Sequence, residues 1–161
     1  MKLVQERRRR EGKTNFTKRR RLLEGRKPRI VIRKTNRYII LQYVESKQAQ
    51  DAIKKSVISK ELIEYGWPKE KEGSLKSLGA AYLTGLLFGK KIKGMKNAIL
   101  DTGLIRSTKG SKIYAAAKGI IDSGFALPCG KEVFPEEARI ENENIKSFFH
   151  KVKENIMKEA K

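Results

Sequence analysis

The sequence predicts an α/β domain, a mixed β-sheet flanked by helices, preceded by a basic N-terminal extension and followed by a C-terminal helix. Three observations predict it. Two short runs rich in β-branched residues, Arg29-Ile30-Val31-Ile32-Arg33-Lys34 and Tyr38-Ile39-Ile40-Leu41-Gln42-Tyr43-Val44, are separated by a polar turn. A further apolar run, Asn97-Ala98-Ile99-Leu100-Asp101, stands between two helical segments and lends the middle of the chain a βαβ character. The cations crowd toward one end: residues 1–37 hold sixteen Lys and Arg against three Glu, whereas residues 131–161 hold seven of each sign.

The 161 residues fit one domain with extensions, divided as a basic arm over 1–27, a globular body over 28–130 and a helical extension over 131–161. Overall, 38 Lys and Arg face 18 Asp and Glu, a net charge of +20. Such an excess opposes compaction through self-repulsion, so a polyanionic partner is expected. The longest apolar candidate, Ala80 to Gly89, is too short to span a bilayer, and no apolar run succeeds the N-terminal charges. Neither a membrane role nor secretion is expected. Cys129 is the only cysteine, which excludes an intramolecular disulfide and a multi-cysteine metal site. A cytosolic protein is implied.

Along the chain, Pro28 closes the arm and the first strand begins. Thr35-Asn36-Arg37 makes the turn, with Asn36 able to take a left-handed conformation. Ala52 to Ser59 reads as a third short strand, Lys60 to Tyr65 as a helical turn, and Gly66-Trp67-Pro68 as a break before a charged loop from Lys69 to Gly73. Ser74 is the expected N-cap for a helix to about Lys91. That helix is apolar over much of its surface and carries Gly79, Gly85 and Gly89, which would let it approach a sheet closely. After the 97–101 strand come a loop over Thr102 to Lys112 and a helix from about Ile113 to Ser123. Asn142 to Ala160 reads as an amphipathic helix, with Ile145, Phe148, Phe149, Val152 and Ile156 recurring on one face.

Three segments are candidates for binding a phosphate backbone. The arm has two clusters, Arg7-Arg8-Arg9-Arg10 and Lys18-Arg19-Arg20-Arg21, joined by small and polar residues that include Lys13, Thr14 and Asn15. A guanidinium offers phosphate a planar fork of donors, and the clustered charges should fold only on their target. The turn and its flanks bring Arg33, Lys34, Asn36, Arg37 and Tyr38, a mixture of charge, amide and aromatic ring that suits RNA loops. The strand-to-helix loop holds Arg106, Ser107, Thr108, Lys109, Gly110, Ser111 and Lys112, able to cradle phosphate with backbone amides and side chains. Plainer readings exist for the first two: a solvated basic tail or a nuclear-localisation signal for the arm, and a turn that is polar because turns are.

Chemistry is sparse. The loop lacks the Gly-x-x-x-x-Gly-Lys-Ser/Thr order of a nucleotide-hydrolysing loop, because Lys109 precedes Gly110. Asp occurs only at 51, 101 and 122. Asp101 ends a strand, as a nuclease acid would, yet two-metal cleavage needs several convergent acids. His150 and Cys129 stand apart in the sequence. No active site, metal or cofactor is expected, and a DNA-architectural protein or a ribonuclease-H-like nuclease remain the alternatives to an RNA scaffold.

Several stretches, in order, resemble the L-eighteen family of large-subunit ribosomal proteins in its archaeal and eukaryotic-type version. They are Arg8 to Asn15, Lys27-Pro28-Arg29, Thr35 to Ile39, Glu64-Tyr65-Gly66-Trp67, Ala80 to Leu86, Leu100 to Leu104, Thr108 to Lys112 and Glu132 to Ile140. The resemblance implies a fold similar to the ribonuclease-H-like translational components, without nuclease activity, in a cytoplasmic large ribosomal subunit. It implies binding of 5S rRNA in the central protuberance, attachment of that RNA to the large-subunit rRNA, and contact with the L-five family protein. The family's RNA-contacting arm maps to Arg7 through Asn15 and Arg19 through Arg21. Its hairpin contact maps to Lys34, Asn36, Arg37 and Tyr38, and its loop contact to Arg106, Thr108, Lys109, Gly110, Ser111 and Lys112.

Overall fold

In the computed structural model, residues 7–47 and 50–159 are described; residues 1–6 of the arm and Ala160 at the end of the predicted last helix lie outside them. The β-branched run of Arg29–Lys34 (β1) pairs antiparallel with Ile39–Lys47 (β2), and β2 pairs antiparallel with Gln50–Ile58 (β3). The short strand Ile99–Asp101 (β4) runs parallel to β1, so the sheet has the mixed order β3-β2-β1-β4. Alternation sorts the side chains. Ile30, Ile32, Leu41 and Tyr43 enter the core, whereas Arg29 and Arg33 belong to the opposite face. On the outermost strand β3 only Val57 is buried.

The turn keeps its place but not its expected backbone. Asn36 does not adopt a left-handed conformation; among described non-glycine residues only Arg26 has a positive φ. Thr35 removes the need for one. Its Oγ1 accepts hydrogen bonds from the Tyr38 and Arg37 amides, and its own amide donates to the Tyr38 carbonyl. A side chain thus closes the turn in place of a strained dihedral.

Helix Leu78–Lys91 (α3) begins later than Ser74. Ser77 is its N-cap, accepting from the Ala80 amide, while the Ser74 hydroxyl donates to the Lys71 carbonyl within a 3₁₀ segment over Lys69–Ser74. Eleven consecutive residues of α3, Gly79 to Gly89, are buried. A helix apolar all round must be covered all round. The sheet covers one side, helix Lys112–Asp122 (α4) a second, and helix Glu143–Glu159 (α6) a third, after the short helix Glu137–Ile140 (α5). The glycines serve helix contacts and not the expected approach to the sheet. A Cβ on Gly85 would lie 2.1 Å from the Ala116 carbonyl oxygen of α4, and one on Gly79 would meet Ile145 of α6. Helix α6 docks its predicted apolar face, with Phe148 edge-on to Trp67 at 4.8 Å and Phe149 against Tyr82 at 6.0 Å. Lys90 donates to the carbonyls of Ile156 and Met157, satisfying acceptors near its end.

Candidate nucleic-acid interface

Because β1 and β4 are parallel, their carboxyl ends point the same way, and the segment after each strand is delivered to one edge of the sheet. After β1 comes the β1–β2 turn, and after β4 the 102–111 loop. In open α/β sheets this edge is where ligands gather. The arm arrives there as well. An open cleft of about 680 Å³ is lined by Arg8, Lys13, Thr14, Asn15, Lys18 and Arg19 of the arm, by Arg33 and Lys34 of β1, by Gly103 to Ile105 of the loop, and by the acids Asp51 and Asp101, so that cations outnumber acids along it. Three segments distant in sequence thus form one cationic surface.

The arm is helical, contrary to the expectation that it folds only on its target. Arg7–Arg10 forms one turn (α1) and Phe16–Glu24 a longer helix (α2). Local bonds offset the charge repulsion. The Asn15 side chain caps α2 through the Lys18 amide at 3.0 Å, and the Arg8 Nε donates to Thr14 Oγ1 at 2.9 Å. Glu11 lies 2.7 Å from Lys13, and Glu24 lies 2.8 Å from Arg20. Asn15 and Thr14 therefore shape the arm.

Two arm cations tie it to the body. Lys18 Nζ donates to Thr102 Oγ1 at 3.0 Å and to the Gly103 carbonyl at 3.1 Å. Arg19 pairs with Asp51 at 2.8 Å. Asp51 belongs to a network that sequence reasoning missed. Arg29, only 2% exposed, bonds Asp51 at 2.6 Å, Asp101 at 3.0 Å and Ser46 Oγ at 3.0 Å. Asp101 is itself buried and accepts the Gly103 amide at 2.8 Å, which makes it a structural acid. Arg33 joins the rim, donating to the Ile32 and Asp101 carbonyls. Burial alone would push the Asp51 carboxyl up, but hydrogen bonds from Ser46, Arg19 and Arg29 outweigh it and hold the group below its ordinary value. A strand-opening Arg and a strand-closing Asp were visible signals of this pairing; their meeting across parallel strands was not.

The loop is partly turned inward. Gly110 is buried at φ +68, and its amide donates to the Val133 carbonyl at 2.9 Å, beneath Arg139. The Ser111 amide donates back to Thr108. The expected phosphate cradle therefore lacks two of its amides. Ser111 Oγ is buried and has no hydrogen-bond partner. Arg106, Thr108 and Lys109 remain exposed, as do Arg7 to Arg10, Arg20, Arg21, Lys34, Asn36 and Arg37.

Lys112 sits where the turn and the loop meet. Burial lowers its ammonium pKa, and the charges of Lys34 and Lys76 lower it further. Lys76 was not anticipated; it follows the 69–74 segment, in what the sequence reads as the first turn of the helix capped by Ser74. Tyr38 is also held by that segment, its hydroxyl donating to Glu72 Oε1. That bond, then desolvation, raises the phenol's pKa.

The remaining reactive groups stand apart from this edge. Tyr82 donates to Asp122 at 2.8 Å, His150 lies 3.7 Å from Glu141, and burial pushes the Cys129 thiol up, which makes it a poor nucleophile. No cluster of three or more metal-ligating side chains occurs among the described residues, and no described helix is long and apolar enough to cross a membrane.

Comparison with known proteins adds an independent line. Residues 2–97 and 91–130 match the family described as ribosomal large subunit proteins 60S L5 and 50S L18. Large ribosomal subunit protein uL18 of Korarchaeum cryptofilum is 50% identical over 153 residues, which span 94% of this chain and 76% of that protein. The uL18 protein of Methanococcoides burtonii is 43% identical across 95% of this chain and 92% of its own length. That of Methanothrix thermoacetophila is 46% identical across 88% and 83%.

Proposed function

This chain belongs to the uL18 family of large-subunit ribosomal proteins, and from that premise we propose that it binds 5S rRNA and attaches it to the large-subunit rRNA in the central protuberance. It is a structural constituent of the large subunit of the cytoplasmic ribosome and not an enzyme. The observation that carries the finer reading is the cleft at the carboxyl edge of the sheet where the arm, the end of β1 and the start of the 102–111 loop meet, the edge from which the β1–β2 turn also departs. A cationic surface drawn from several segments can meet phosphates that do not lie along one line, as those of a folded RNA do not. Backbone and shape contacts should dominate, because the A-form major groove hides base edges.

In this reading residues 1–27 are an RNA-binding arm, 28–130 the body that positions it, and 131–161 an extension that completes the core through α6. Arg7 to Arg10, Lys13, Arg20, Arg21, Lys34, Arg37, Arg106, Lys109 and Lys112 meet phosphate. Lys18, Arg19, Arg33, Thr14, Asn15, Gly110 and Ser111 shape the surface that does so, and Asn36, Tyr38 and Thr108 add uncharged contacts. The L-five family protein is the expected protein neighbour.

The test is a competition between 5S rRNA, tRNA and duplex DNA for the purified chain at matched salt. Selective retention of 5S rRNA supports the reading; equal affinity for all three overturns it. Engagement of roughly 6–10 phosphates should cut affinity about a thousandfold or more between 50 and 200 mM salt.

A further inference from the structure

Between the β1–β2 turn and the 69–76 segment lies a pocket of about 250 Å³, lined by Asn36, Arg37, Tyr38, Glu72, Gly73 and Lys76. Pockets for drug-sized ligands begin near roughly 300 Å³, so this one has room for a single ring system. Its chemistry differs from the surrounding surface. Glu72 places a carboxylate in a field of cations, where it repels any phosphate oxygen entering the pocket itself. The fitting occupant is a neutral group with N–H donors. Beside the carboxylate is an aromatic ring held at two points: Thr35 fixes the Tyr38 backbone, and Glu72 accepts the Tyr38 hydroxyl. Lys76 lines the pocket, and Lys34 and Lys112 lie near enough to it that burial together with repulsion from the other two disfavours the Lys112 charge. Those three cations, drawn from three segments, call for an anion between them. A ring with N–H donors, joined to an anion, is a nucleotide.

We propose that this pocket receives one unstacked guanine of the bound RNA, its ring on Tyr38, its donor edge on Glu72 and its phosphate among Lys34, Lys76 and Lys112. Guanine is selected because its N1–H and N2 amino group point side by side at the two oxygens of a carboxylate. The other bases lack that pair of donors. Accepting the Tyr38 hydroxyl still leaves Glu72 lone pairs to spare. Splayed bases stacked on aromatic side chains and read at their Watson–Crick edge are the usual means of sequence-specific RNA recognition. The inference rests on the RNA-binding reading above and names what one part of that surface reads.

The experiment compares the full chain's affinity for a uridine heptanucleotide with that for the same oligonucleotide carrying a central guanosine, by fluorescence anisotropy. Wild type should favour the guanosine oligonucleotide by roughly tenfold, in line with the discrimination a bidentate pair of hydrogen bonds to a base edge gives. Glu72→Gln should erase that ratio, even though loss of a negative charge raises affinity for both oligonucleotides. Gly73→Phe is the steric test, since a Cβ there meets nothing within 4 Å and no charge changes; it too should bring the ratio to one. An equal wild-type affinity for the two oligonucleotides, or a ratio that survives both substitutions, overturns the pocket. The 5S competition run in parallel separates the two readings. Selectivity for 5S rRNA without a guanosine ratio sinks the pocket alone, and a guanosine ratio without 5S selectivity sinks the 5S assignment alone.

Discussion

One face of the sheet lies under α3 and α4, where Gly85 meets the Ala116 backbone, Tyr82 donates to Asp122 at the margin, and the core is aliphatic and aromatic. The other carries Arg29, Arg33, Asp51 and Asp101, with α2 docked through Lys18 and Arg19. The apolar face stabilises through burial, which neither salt nor moderate pH changes much. The ionic face must first meet the cost of removing Arg29 and Asp101 from water, so its net contribution to stability is small. What it supplies is direction. Asp51, Asp101 and Ser46 converge on Arg29, and through Asp51 the same network reaches Arg19 and fixes where the arm begins. Stability and placement are thus assigned to opposite sides of four strands.

Four measurements would break or sharpen that contrast. The largest effect belongs to Arg29→Met, which strands Asp101 as a buried charge and should cost about 3–5 kcal/mol in urea unfolding. Adding Asp101→Leu should recover most of the loss; failure to recover would mean the network stabilises more than it positions. Next comes Gly85→Ala, whose methyl must displace the Ala116 carbonyl, for a loss of about 3 kcal/mol in the same assay. Lys112→Ala should barely alter the unfolding midpoint, because a half-buried, self-repelling cation is lost along with its packing. It should still lower the slope of log affinity against log salt for RNA by about one. The smallest effect is acidic. The Asp51 carboxyl is held below its ordinary value, so its contribution is complete above about pH 4 and fades as pH falls through the folded value. Amide chemical shifts of Lys18 and Arg19, monitored by NMR from pH 6 to pH 3, should move in that window, ahead of the core.

The same contrast explains what was legible in the sequence. Strands and the last helix were readable because the core is apolar and apolar spacing reports burial: β1, β2, β3 and α6 lie within a few residues of where the pattern puts them. The cation-rich candidates fall on one edge because two parallel strands end there. What escaped depended on partners far along the chain. Nothing around Glu72 tells that it meets Tyr38, and nothing around Asp51 tells that it joins Arg29 to Arg19. Ser74 and Ser77 are equivalent caps by composition, and only the 3₁₀ bond from Ser74 to Lys71 decides between them. The arm's helix had a local signal, Asn15 ahead of nine residues ending in Leu22-Leu23-Glu24, but the density of like charge spoke against it. Gly110 was read as part of a backbone cradle for phosphate, whereas its inward amide makes it part of the body.

Strand β3 ends the sheet with one side unpaired, so its outward amides and carbonyls offer a template on which a second polypeptide could extend the sheet. Ile53 and Ile58, both exposed, make that template adhesive. The adjacent Lys54 and Lys55 counter it, because two copies meeting there must bring four ammonium groups together. Separate copies of the chain are therefore kept from coalescing by the same kind of charge that, in the proposed function, meets the nucleic acid. Neutralising this pair should show first as turbidity in concentrated stocks, long before any loss of folded structure.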